Sequence, residues 1–287
     1  MNFFQLLKLG YRNYWLGIIF LIKNRLWWFV IFPIVLFFGI YWLGTVFNGM
    51  EYRLGGEISH RASSYNSVNE LIWFTAKLIF IDSLYIVFTK FALYIVVVML
   101  APVLSILSEK IEEIITGNIY PFRFSQLVKD VQRGMKIALR NILWEYFFIV
   151  LVLGLASFFT GPVKAVILFS IPMCFGFYFY GFSFIDYINE RRRLNVQQSV
   201  YFVSQHKGLA VAIGSIYSVF FLSYHAVMHQ FQFLATDTQT QIMWGTILVI
   251  AFILAVVAPI IAITSATLSM HELVNLSKNK FADKKQN

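Results

Sequence analysis

Few side chains in this sequence have both the type and the spacing to do chemistry. His225 and His229 stand four apart, which puts both imidazoles on one helical face, a spacing that binds metal when a third ligand joins. No acidic residue lies nearby, so the pair reads as structural or interfacial and no metal is expected. Asp82 and Lys90 fall inside an apolar run, where ionisable groups can form a proton or ion relay. No glycine-rich phosphate loop, nucleophile elbow or pair of catalytic carboxylates appears. The expectation is a protein that is not an enzyme, with no catalytic residues and no cofactor. Its one cysteine, Cys174, excludes an intrachain disulfide.

Cationic groups are more informative. Arg191-Arg192-Arg193 is a basic run, and Arg133, Lys136 and Arg140 share a helical stripe. Their plain reading is contact with lipid headgroups. Binding a tetrahedral oxyanion takes several converging donors, at a helix start or in a fork of guanidinium groups. Lys23-Asn24-Arg25, at the beginning of the first long apolar block, combines a helix start with two cations. These three residues are the candidate substrate-binding set. Glu145, beside Trp144, reads as an interface residue.

The elements that position these groups are apolar helices. Of 287 residues, 59% are hydrophobic and 13% charged, against about 25% charged in soluble domains. That balance excludes a soluble enzyme, a disordered tail and a disulfide-stapled secreted domain. A net charge of +9 on so apolar a chain points to anionic lipid and not to nucleic acid. Six blocks are candidates to enter a bilayer: Leu26–Phe47, Leu71–Leu107, Ile142–Thr160, Val163–Phe184, Gly208–Leu234 and Gln241–Met270. None alternates at period two, so the fold class is an all-α integral membrane protein.

The second block, at 1.5 Å per residue, would reach about 55 Å, far beyond the roughly 30 Å hydrocarbon layer. Lys77, Asp82 and Lys90 interrupt its first half, which is therefore expected to leave the lipid, and Pro102 should kink or end it near Ala101. Ahead of the blocks, Phe3, Leu7, Tyr11, Tyr14, Ile18 and Ile22 share one face of an amphipathic helix, with Gln5, Lys8 and Arg12 on another. An interfacial helix is favoured over a short core helix. Blocks three and four meet at Thr160-Gly161-Pro162, and blocks five and six at Ala235–Thr240. Each hairpin either spans or re-enters.

The single membrane domain, 1–287, thus divides into an interfacial helix (1–25), a long helical pair (26–107), a cytoplasmic helical segment (108–141), a hairpin (142–185), a basic cytoplasmic segment (186–207), a second hairpin (208–270) and a polar tail (271–287). Eighteen Lys/Arg lie in the first, third, fifth and last of these regions, and three (Arg53, Arg61, Lys164) in the intervening loops. By the positive-inside rule both termini are cytoplasmic.

Several anchors carry a family resemblance. Ala101-Pro102, Leu107, Glu109, Glu112 and Thr116-Gly117 resemble the end of the long second helix in the CysZ / etoposide-induced membrane protein family. Lys129-Asp130-Val131 with Arg133 and Lys136 looks like that family's next cytoplasmic helix. Asp186-Tyr187, the run Arg191–Arg193 (Arg192 and Arg193 included), His206-Lys207-Gly208 and Gly214 resemble its segment between the hairpins, and Pro259 with Ala266-Thr267 its last hairpin.

The resemblance implies an amphipathic N-terminal helix, two long transmembrane helices, two helical hairpins and a homo-oligomer in the lipid bilayer. Bacterial relatives are sulfate permeases of the inner membrane; eukaryotic ones reside in the endoplasmic reticulum. The bacterial site uses two arginines just before the proline of the first long helix. Aligned on Phe29 to Pro33, those positions hold Trp27-Trp28, which carry no charge, with Arg25 two residues away. The leading expectation is an inner-membrane permease for a small inorganic anion, sulfate or a related oxyanion. The rival, favoured by Trp27-Trp28 and an aromatic content of 18%, is a non-transporting membrane scaffold or envelope-associated factor.

Overall fold

In the computed structural model, the structure describes residues 1–61, 72–73, 92–120, 124–234, 237–279, 281 and 283–284. Helix α1 (Phe3–Lys23) is opened by a capping box in which Asn2 and Gln5 exchange side-chain to backbone bonds. A short 3₁₀ turn, Leu26–Val30, leads into α2 (Ile31–Arg61), which carries Pro33 in its first turn, where no helical hydrogen bond is lost. Then follow α3 (Ala92–Met99), α4 (Ala101–Thr116), α5 (Phe124–Ala156), α6 (Gly161–Arg191), α7 (Val196–Gln205), α8 (Lys207–Leu234) and α9 (Thr238–Val274). A two-residue antiparallel bridge pairs β1 (Asn118–Ile119) with β2 (Asp283–Lys284).

Among the described residues five segments are long and apolar enough to cross a bilayer: Leu26–Val46, Val131–Ala156, Gly161–Arg191, Lys207–Leu234 and Thr238–Val274. The protein is an all-α, multi-pass membrane protein. Lys77, Asp82 and Lys90 lie outside the described residues. The helix break comes at Leu100, directly before Ala101-Pro102, and Pro102 sits in the first turn of α4.

The two hairpins are α5–α6 and α8–α9. Gly161, in the left-handed region at φ +60°, and Pro162 turn the first. Asp237 caps the start of α9, bonded to the Gln239 amide and the Thr240 hydroxyl. The hairpins cross where Gly181 of α6 faces Ala210 and Gly214 of α8. A methyl group at Gly181 would fall inside the van der Waals shell of the Ala210 carbonyl, and one at Gly214 inside that of Phe177. Small residues let helices approach this closely, and in lipid such packing is a main source of helix association.

The tightest packing lies at the basic end of the bundle. Leu104, Leu107 and Ile111 of α4, Ile185 and Ile188 of α6, Leu209 and Ile213 of α8, and Ile260, Ile263 and Ala266 of α9 are all fully buried. Toward the hairpin turns the apolar side chains open outward: Phe158 is 83% exposed and Phe169 70%. That outer surface is suited to lipid or to another protein chain.

Helix α1 departs from the expected face. It buries Leu6, Leu9, Gly10, Asn13, Tyr14, Gly17 and Leu21 against α8 and α9, leaving Phe3, Tyr11 and Ile22 outside. The cause is size and polarity matching: Gly10 admits Ala212, Gly17 admits Thr264, and Asn13 bonds the Ser269 hydroxyl at 3.0 Å. Helix α1 is thus packed into the bundle on one side, and its opposite side, with Phe4 and Trp15, is free for the membrane interface.

Candidate functional site: a polar knot and a polar lane

The basic end of the bundle encloses a buried ion pair. Glu112 of α4 is fully buried, Arg191 at the end of α6 is 8% exposed, and Nε of the arginine donates to the carboxylate at 3.1 Å. Removing two charges from water costs several kcal/mol each unless further hydrogen bonds satisfy them. Here they do. Asn118 and Tyr120 donate to Glu112 at 3.1 and 2.5 Å, and Arg191 Nη2 donates to the Ser108 hydroxyl at 2.7 Å. Ser108 pairs with Thr267 of α9 at 2.7 Å, Asn118 also reaches the Leu276 carbonyl, and the Arg191 guanidinium lies 5.6 Å from the Tyr120 ring centre. Burial, then the bond to Glu112, pushes the Tyr120 phenol above its ordinary pKa, so it stays a neutral donor. The knot ties α4, α6 and α9 together with the segments after α4 and α9.

One turn away lies a second clamp. Arg133 of α5 grips Asp186 of α6 through two parallel bonds of 2.8 and 2.7 Å and donates to the Leu194 carbonyl at 2.6 Å. Asp186 also accepts from Ser199 of α7, which accepts from Asn189. A bidentate pair of this kind fixes geometry as well as charge. Tyr187, next to Asp186, bonds the Val97 carbonyl of α3 at 3.1 Å.

The resemblance positions are therefore gathered by the fold. Ala101, Glu112, Asp186, Gly208, Pro259, Ala266 and Thr267 are buried. Thr116 closes α4 by bonding the Glu112 carbonyl, and Gly117, at φ +74°, is its left-handed cap. Pro102 and Glu109 are half-buried in α4, Asp130 lies in α5, and Arg193 adopts φ +57° beside Phe281.

From this knot a lane of polar groups continues between α3, α5 and α6. Asn141, fully buried, donates to the Phe179 carbonyl at 3.2 Å and lies 3.4 Å from the Ser183 hydroxyl. Arg140 beside it bonds the Asn141 side chain at 3.1 Å and sits 5.6 Å from the Phe182 ring centre. Among the described residues Arg140 has no carboxylate partner. Further along, Glu145 accepts from Tyr94 at 2.5 Å. Glu145, expected at the interface beside Trp144, is half-buried four positions after Asn141 on α5.

Lys23, Asn24 and Arg25 are placed at the end of α1. Lys23 and Arg25 are exposed, Asn24 caps the helix by donating to the Phe20 carbonyl at 2.9 Å, and Arg25 takes the left-handed conformation at φ +56°. The three stay together in space, beside the exposed Trp27 and Trp28. They adjoin a helix carboxyl end, whose dipole favours cations, as well as the turn that starts α2. His225 and His229 are exposed on α8, and no cluster of three metal-binding side chains occurs among the described residues.

Sequence reasoning missed Asn141, Tyr94 and Ser108 altogether, and took Arg140 as a headgroup contact. The usable signal was polarity without a local reason: asparagine in an otherwise apolar turn, one carboxylate in a block of 19 residues. No curated protein matches the chain. Residues 13–227, well over half of the 287, match the family described as sulfate transporter CysZ/etoposide-induced protein 2.4, and with the helical bundle and the gathered motif residues this chain belongs to that family.

Proposed function

We propose that the protein is a permease that passes a small inorganic anion, sulfate or a related oxyanion, across the bacterial inner membrane, with both termini cytoplasmic and several copies assembled around the path. The observation that carries this reading is the family match over residues 13–227, whose description names sulfate transport. The polar lane supports it. Arg140 is a half-buried cation whose carboxylate neighbours are absent among the described residues, whereas Arg133 and Arg191 are already neutralised by Asp186 and Glu112. An anion moving along α5 would find there a guanidinium that no carboxylate neutralises among the described residues. Lys23 and Arg25 act at the mouth, raising the local anion concentration.

Uptake of labelled sulfate into proteoliposomes, against empty vesicles, tests the reading; equal uptake would sink it. Arg140→Gln should lower uptake about thirtyfold, the loss of one charge-assisted contact of about 2 kcal/mol. Replacing Lys23 and Arg25 together by Ala should abolish uptake while the protein still accumulates in the membrane.

A second reading is a non-transporting membrane scaffold. Trp27 and Trp28, 64% and 49% exposed, present an aromatic surface where the resemblance expects arginines. Co-purification of one fixed partner, with no anion-dependent change in melting temperature, would select this reading.

A further inference from the structure

Helix α7 and the end of α6 border an open cleft of about 520 Å³. Arg192, Gln197, Tyr201, Phe202, Gln205 and His206 line it, and no acidic residue does. Arg192 is half-buried, and burial pulls its guanidinium below the usual value. One of its nitrogens donates to Asn189 at 3.1 Å, and no carboxylate pairs with it among the described residues. The Phe202 ring holds the guanidinium 5.0 Å from its centre and stacks on His206 at 4.3 Å. The His206 Nδ1 lies 2.7 Å from the Phe202 carbonyl, which can only accept, so Nδ1 carries the proton and the ring's donor is spent within the helix. A desolvated cation with donor amides around it and no internal counter-ion is a site for an external anion.

Depth decides which anion. The apolar block Val163–Phe184 ends eight residues before Arg192, about 12 Å along a helix, so the cleft falls on the polar side of the hydrocarbon layer, within reach of lipid headgroups. Tyr201, 69% exposed on α7, is an aromatic of the kind that anchors at that level. Ser199 and Val203 face inward and fix the helix to the bundle. We propose that this cleft binds the phosphate of an anionic phospholipid headgroup, held by Arg192 with the Gln197 and Gln205 side-chain amides as further donors. The proposal stands apart from the transport reading, because no residue of the lane or of the α1 end takes part.

The test is native mass spectrometry of the full chain in neutral detergent, titrated with phosphatidylglycerol or phosphatidylcholine. Wild type should retain phosphatidylglycerol preferentially, and Arg192→Gln should reduce that preference about tenfold, the effect of one charge-assisted phosphate contact. Replacing Gln197 and Gln205 together by Ala should reduce it in the same direction. Lys129→Gln, an exposed lysine on α5, should leave it unchanged. If Arg192→Gln does not elute as folded protein, the Gln197→Ala, Gln205→Ala variant carries the test. An undiminished preference in both variants overturns the site, and inorganic phosphate that displaces the lipid at equal concentration overturns the lipid assignment.

Discussion

Arg191→Ala should cost the protein about 3–5 kcal/mol, the usual penalty for stripping one partner from a buried ion pair. Glu112 is fully buried, and without the guanidinium its charge would be held only by Asn118 and Tyr120. The Ser108–Thr267 contact would also lose the donor that orients it. Arg191→Lys should recover little. A single ammonium cannot reach Glu112 and Ser108 with the spacing of the guanidinium fork or lie against the Tyr120 ring. The informative variant is the pair Arg191→Met with Glu112→Leu, which removes both charges and keeps volume. Its melting temperature in detergent should return most of the way to wild type, because the buried charges offset each other and add little net stability. A melting temperature unchanged by Arg191→Ala would show that the knot contributes nothing to the fold.

The helical architecture was readable because bilayer-crossing segments need long apolar runs, and five of these run through the described residues. Partners were not readable. The anchors Glu112, Asp186, Arg133 and Thr267 could be named from the resemblance, yet nothing in their spacing says that Arg191 meets Glu112 across 79 positions while Arg133 meets Asp186 across 53. Charge counting reads every cation as a headgroup contact, and so hides Arg140, which turns inward on the same stripe. The α1 face went astray for a related reason. Gly10, Asn13 and Gly17 lie off the apolar stripe and belong to neither expected face, yet glycine and asparagine are what a close crossing requires. At Lys23–Arg25 the sequence shows the start of an apolar block. That Arg25 would take a left-handed conformation, which asparagine or glycine adopts more easily, has no local signal.

Gly181→Val should leave little folded protein, whereas Gly154→Ala should be tolerated or mildly stabilising. Both glycines lie inside hairpin helices, α6 and α5, and both substitutions improve helix propensity relative to glycine. Propensity alone therefore predicts a gain at each site. The neighbours differ. Nothing lies within 4 Å of a methyl group placed at Gly154, so the change only reduces the freedom of the unfolded backbone, worth about 0.4–1 kcal/mol. At Gly181 the obstacle is the Ala210 carbonyl and the Gly214 amide, which are backbone and cannot swing aside. Helices α6 and α8 would have to separate, and with them the contacts of Phe184 and Tyr217, whose rings meet at 5.0 Å. Overpacking typically costs about 1–3 kcal/mol where side chains can adjust; a backbone-to-backbone crossing has no such relief, so the loss should exceed that range. Fluorescence-detected gel filtration after detergent extraction reads both variants directly. A normal monodisperse peak for Gly181→Val would mean that the hairpins are not held at this crossing, and that the knot at the basic end keeps the bundle together without it.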